Sequence, residues 1–176
     1  MISPQVTYSQ KNIARLAGTT DVVVIGAGHA GLAMSYVLGE HGVDHVVLER
    51  GEIANSWKKE RWDSLRLLTP NWRTQLPGQA YDGDNPDGFM TIPELVDFIE
   101  DYAKNSQAPV KTQTAVESVQ RTGSRYRVDT NRGSWACKAM VIATGACNRP
   151  SVPRVAEQIP AGITQLTAFD LSLIHI

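Results

Sequence analysis

The chain has 176 residues, enough for one domain with a real hydrophobic core. Its 17 basic and 18 acidic residues leave a net charge of −1, which excludes a nucleic-acid or polyanion partner recruited by bulk charge. No apolar run approaches the roughly 20 residues that span a bilayer, so a membrane-spanning helix is excluded as well.

Residues 1–20 have no apolar core of signal-peptide type and read as a loose leader. The β-branched run at 22–25 then predicts a strand. It enters a glycine-rich turn, Gly26-x-Gly28-x-x-Gly31, and an apolar helix from about Ala30 to about Glu40, with Gly42 as its stop. A second strand at 45–48 ends on Glu49. Strand, tight turn, helix, strand, acid is the fingerprint of a site for an adenine dinucleotide. Gly26 permits the turn, Gly28 lets backbone approach a pyrophosphate, and Gly31 lets the helix pack close. The helix start, at His29 and Ala30, offers N–H groups and a positive dipole end to phosphates. Glu49, 18 residues past Gly31, is placed to accept ribose hydroxyls. Its carboxylate would repel the 2′-phosphate of NADP, a repulsion that Arg50 can soften.

Residues 51–90 are rich in Gly, Pro, Asp and Asn and hold three of the four tryptophans, Trp57, Trp62 and Trp72. So long a connection in a compact domain is often functional. A second helix is predicted from Thr91, where Thr91 and Glu94 have capping-box spacing and Leu95, Phe98, Ile99 and Tyr102 make one apolar face. Strands are predicted around Val110 and at 116–120, 126–130 and 135–142, with turns at 122–124 and 131–133. The last strand runs into Thr144-Gly145. Cys137 and Cys147 have nine residues between them and form no CxxC pair; they read as reduced thiols of a cytoplasmic protein. No His, Cys or carboxylate cluster has metal-ligand spacing.

The segment Val141-Ile-Ala-Thr-Gly145, with Pro150 and Pro153 after it, resembles the second signature of two-dinucleotide-domain flavoproteins. Between the two signatures, Ser56-Trp57, Arg61-Trp-Asp-Ser-Leu-Arg66 and Leu68-Thr-Pro70 resemble flavin-containing monooxygenases of class B, in particular bacterial flavoproteins related to plant indole-pyruvate monooxygenases. The family's Gly-Gly-x-Trp stands here as Ala54-Asn-Ser-Trp57, keeping the Trp without the glycines. The resemblance covers about residues 20–170. It implies a Rossmann-like α/β FAD-binding fold in three layers, with a parallel sheet and a β-meander, incomplete at the C-terminus. It also implies an enzyme that uses FAD, NADPH and O2 on a small organic substrate.

On that resemblance Gly26, Gly28, Ala30 and Gly31 lie at the pyrophosphate and Glu49 at the adenosine ribose, with Arg50 beside it in the cofactor site. Val116 offers backbone to adenine, or is a plain strand valine. Thr144 and Gly145 let backbone come close to the cofactor. Trp57 packs near the FAD or fills the core, Arg66 contacts cofactor or solvent, and His29 faces solvent or the cofactor edge. No residue is singled out as catalytic. The implied division is an FAD-binding domain at 21–153, a linker at 154–170 and a non-native tail at 171–176. The chain has no second Gly-x-Gly-x-x-Gly for NADPH, so by itself it is expected to be inactive. Two alternatives stand beside this reading. One is a pyridine nucleotide-disulfide oxidoreductase, which wants a redox cysteine pair. The other is a non-catalytic dinucleotide-binding or regulatory module. Substrate and oligomeric state are not written in these residues.

Overall fold

A computed structural model describes residues 16–62, 64–146, 150–167 and 169–170. The elements run β1 (Leu16–Ile25), α1 (His29–Glu40), β2 (His45–Leu48), α2 (Asn55–Lys59), β3 (Gln75–Leu76), β4 (Gln79–Ala80), α3 (Ile92–Asn105), β5 (Val110–Lys111), β6 (Val116–Thr122), β7 (Arg125–Thr130) and β8 (Gly133–Ile142). Six strands form one sheet in the order β5-β2-β1-β8-β7-β6, and β3 and β4 make a separate hairpin. The β5, β2, β1 and β8 strands are parallel, whereas β6, β7 and β8 are antiparallel neighbours. The parallel sheet and the meander expected as an appendage are therefore one mixed sheet, with β8 belonging to both.

Alternation along β1 explains the layers. Val22 and Val24 point to the face covered by α1 and α3, where they pack with Leu32, Leu95 and Ile99. Val23 points to the other face and packs with Val46, Leu48, Val128 and Cys137. Successive strand side chains alternate faces, so a strand buried on both must be apolar at every position. Val128 of β7 and Cys137 of β8 belong to the second cluster, so the meander strands supply part of the core on the sheet face that the helices leave open.

β1 starts at Leu16, so the last five residues of the expected leader, 16–20, are strand. They pair with β8 from Ser134 to Cys137. The segment Leu-Ala-Gly-Thr-Thr has weak strand character of its own; tertiary pairing supplies what local propensity does not. Residues 1–15 lie outside the described set. Helix α3 begins as expected: Thr91 is its N-cap, and the reciprocal Thr91–Glu94 capping box is formed. Its hydrogen bonds from Thr91 hold the Glu94 carboxyl below the usual carboxylate range. Tyr102, buried on the α3 face, donates its hydroxyl to the Pro77 carbonyl at 2.9 Å and stacks on Tyr36. Burial pushes its phenol up to about 12. This contact ties the β3–β4 hairpin of the long connection to the helix layer. Among the described residues no helix is long and apolar enough to cross a membrane.

Candidate cofactor site

The C-terminal ends of β1, β2 and β8 converge on a cavity of about 640 Å3. In open α/β sheets this end of the parallel strands is where ligands bind, because the strand-to-helix turns gather there. The turn after β1 is fixed on two sides. Gly26 donates its N–H to the Leu48 carbonyl at 2.8 Å, and Ala143 donates to the Ile25 carbonyl at 2.9 Å. Gly26 has φ +107°, a conformation that side chains resist, and a Cβ there would sit 2.5 Å from the Ala143 carbonyl oxygen. Gly31 is buried against the same turn: a Cβ on it would sit 1.9 Å from the Gly26 carbonyl oxygen. The fold itself thus requires both.

Gly28 is different. It caps α1 in extended backbone, φ −93° and ψ −170°, with no side-chain cap. A Cβ built on it meets nothing within 4 Å. No protein neighbour demands a glycine here, and the open space it leaves belongs to the cavity. The first intrahelical bond of α1 is Leu32 N–H to the Gly28 carbonyl. The N–H groups of His29, Ala30 and Gly31 therefore have no acceptor within the helix. A cradle emptied of side chains, next to unpaired N–H groups and a positive helix end, fits a pyrophosphate.

Glu49 lines the cavity beside the glycine turn and is buried. Its Oε2 accepts the Ala27 N–H at 2.8 Å, and its Oε1 accepts the Gly51 N–H at 2.8 Å. The carboxylate thereby clamps the glycine turn to the segment after β2. Each oxygen keeps a further lone pair, so ribose hydroxyls can still be accepted. Clamping is a role the sequence reading did not assign to Glu49.

Of the other expected site residues, His29, Ala30, Arg50, Trp57, Val116, Thr144 and Gly145 line the cavity. Gly31 does not; it acts from behind the wall, through packing. Arg66 is not on the wall either. It forms a β-bridge with Thr91 and donates its Nη1 to the Phe89 carbonyl at 3.1 Å. Pairing of the loop strand at Arg66 with the residue that caps α3 accompanies an exposed side chain that does not line this cavity. Trp57 stands on α2, and its ring meets His29 edge-on at 5.8 Å between centroids. Burial holds the His29 imidazole below its ordinary pKa, so near neutral pH it is an uncharged wall. The guanidinium of Arg50 is paired with Glu60.

The cavity also holds residues that sequence reasoning passed over. Arg61 is one, a residue of the Arg61–Arg66 motif whose sequence context assigns it no role. Ala54 is another structural surprise. It sits in the left-handed region at φ +59° and starts α2, with its N–H bonded to the Ala27 carbonyl. The backbone keeps the geometry that the related Gly-Gly-x-Trp motif would favour, although the residue is alanine. Cys137 is buried in the meander-side core and does not line the cavity; burial pushes its thiol up, making it a poor nucleophile. Cys147 and the expected tail at 171–176 lie outside the described residues.

The chain is similar to known oxidoreductases. Over 147 residues, 83% of its length, the chain is 38% identical to an uncharacterized CzcO-like oxidoreductase of Geobacillus kaustophilus (strain HTA426), of which it covers 42%. It is 32% identical over 154 residues to the indole-3-pyruvate monooxygenase YUCCA6 of Arabidopsis thaliana, covering 80% of this chain and 35% of that one. Among solved structures, the flavin-containing monooxygenase from Stenotrophomonas maltophilia superposes with a TM-score of 0.70 at 28% identity, over 78% of this chain and 42% of that one. The chain thus spans less than half the length of each of these relatives. The profile of the pyridine nucleotide-disulphide oxidoreductases matches residues 23–169, most of the sequence, and the chain belongs to that family.

Proposed function

We propose that this chain is the FAD-binding portion of an NADPH-dependent flavin monooxygenase that oxygenates a small organic substrate. The observation that carries the reading is the cradle at Gly28: a glycine that no protein contact requires, facing a cavity that the helix N–H groups and the Glu49 carboxylate also line. The similarity to monooxygenases of Arabidopsis and Stenotrophomonas supports the choice among flavin chemistries.

When bound, FAD would supply the redox and oxygen chemistry, passing one oxygen atom of O2 to the substrate and the other to water at the expense of NADPH. The residues of this chain bind and orient. The N–H groups at the start of α1 would hold the phosphates, Glu49, which fixes the turn, would accept from the adenosine ribose, and Val116 would back the adenine end. Trp57 closes the wall beside His29 and keeps water from the phosphates.

The test is flavin binding by the purified chain. The unaltered protein is expected to take up FAD, and Glu49→Ala to lose it on a desalting column. Each lost hydrogen bond to the charged acceptor weakens binding by about 1.5–3 kcal/mol. Glu49→Gln separates ribose contact from clamping. Its amide can still accept one backbone N–H but meets the other donor-to-donor, so its melting midpoint reports the clamp while flavin retention reports the site. Full FAD occupancy in Glu49→Ala would remove Glu49 from the site.

A second expectation follows from the single fingerprint in the sequence. Purified alone, the 176-residue chain should give no NADPH-dependent oxygenation of amines, thioethers or ketones, and any reduced flavin should discharge to hydrogen peroxide. NADPH consumption coupled to an oxygenated product, followed by mass spectrometry, would overturn that.

A further inference from the structure

The cations of the stretch from Arg50 to Arg61 are partnered with one exception. Arg50 pairs with Glu60, Lys58 with Glu100 and Glu52, and Lys59 reaches Glu52 at 4.0 Å. Arg61 has no carboxylate among the described residues. Its one hydrogen bond there runs from Nη1 to the Glu60 carbonyl at 2.9 Å, leaving the rest of the guanidinium fork without a protein acceptor. The side chain is partly buried and lines the cavity. It is also held in place, because its Cζ lies 5.4 Å over the centre of the Trp57 ring. That ring in turn meets His29, the first residue of α1, edge-on.

A guanidinium that is partly desolvated, stacked and left without a counter-charge is an unfavourable arrangement until an anion arrives. Contact with the Trp57 ring restrains the guanidinium, so less freedom remains to be lost when the fork takes up two oxygens. The neighbouring wall already selects the anion: helix N–H groups and a glycine cradle suit phosphate oxygens better than a carboxylate. We propose that Arg61 is a phosphate-binding residue of this cavity, adding a charged contact to the pyrophosphate of the dinucleotide beside the glycine turn, with Trp57 as its platform. This rests on the FAD reading above and adds a residue to it. The contact makes the second half of the phosphate site a charged one, supplied by the long connection after β2.

The test compares ligands that differ only in phosphate. Adenosine, ADP and FAD are titrated calorimetrically into the purified chain, into Arg61→Gln and into Arg61→Lys, at low and at high salt. Arg61→Gln should bind ADP and FAD about ten- to a hundredfold more weakly, the range expected for charge-assisted hydrogen bonds, and adenosine as before. The salt dependence of ADP binding should flatten in the same variant. Arg61→Lys keeps the charge without the planar fork and should fall between the two. Equal ADP affinity in Arg61→Gln and the unaltered chain overturns the role of Arg61 and leaves the FAD reading standing. Loss of adenosine and ADP in equal proportion overturns it too, since that marks a side chain that only shapes the wall. Failure of the unaltered chain to bind any of the three overturns the FAD reading and this inference together.

Discussion

Gly28→Val should abolish FAD and ADP binding while the chain keeps its fold. The backbone at Gly28 is extended, at φ −93° and ψ −170°, a region open to any residue. A Cβ there meets no protein atom within 4 Å, so a valine side chain enters free space. That space is the cavity beside the unpaired N–H groups of α1, and two methyl groups would occupy the volume a pyrophosphate needs. The cost to the fold is small. Gly28 makes no side-chain cap, and exchanging a glycine N-cap for a poor one costs on the order of 1 kcal/mol. A cooperative melt within a few degrees of the unaltered chain, with no heat of binding on titration with ADP, is the expected pair of results. A variant that binds ADP as tightly as the unaltered chain would show that the phosphates lie elsewhere.

The sequence made the front of this site readable because each part follows from a local rule. The strand at 22–25, the turn, the helix to Glu40 and the acid after β2 are set by β-branching, glycine spacing and helical periodicity, and they fall where those rules put them. The capping box at Thr91 and Glu94 is equally local, and it forms. What escaped depends on contacts between distant residues. The strand at 16–20 exists through its pairing with β8. Helix α2 has five residues, too few for periodicity to register, yet it carries Trp57 onto the wall. Arg66 and Arg61 show the limit from the other direction. Both sit in one motif and look alike in sequence. Pairing with Thr91 turns Arg66 to the Phe89 carbonyl, while stacking on Trp57 brings Arg61 to the cavity. Glu49 was legible as an acid near ribose, but its two backbone bonds, to Ala27 and Gly51, depend on where two loops come to lie.

Gly31→Ala should act in the opposite way to Gly28→Val, damaging the fold first and the site as a consequence. The added Cβ would lie 1.9 Å from the Gly26 carbonyl oxygen and 3.0 Å from its carbon. Those are backbone atoms, and they cannot swing aside as the end of a flexible side chain would. Gly26 is itself held by its N–H bond to the Leu48 carbonyl, and the neighbouring Ile25 carbonyl by the Ala143 N–H. Relief must come from α1, which would have to draw back from the turn by more than an ångström. That movement would loosen Leu32, fully buried on the same helix, from Val24 and Leu95 in the core. Overpacking of this kind costs about 3 kcal/mol, the upper part of the usual range, because the obstacle is main chain. For a chain of this size that lowers the melting midpoint by roughly 6–12 °C. The same retreat carries the N–H groups of His29 and Ala30 away from the cradle, so ADP affinity should fall as well. Thermal melts followed by circular dichroism, with ADP titration of the folded variant at low temperature, check both effects. A Gly31→Ala variant as stable as the unaltered chain would show that α1 can stand further from the sheet, and that close helix packing is not what this third glycine serves.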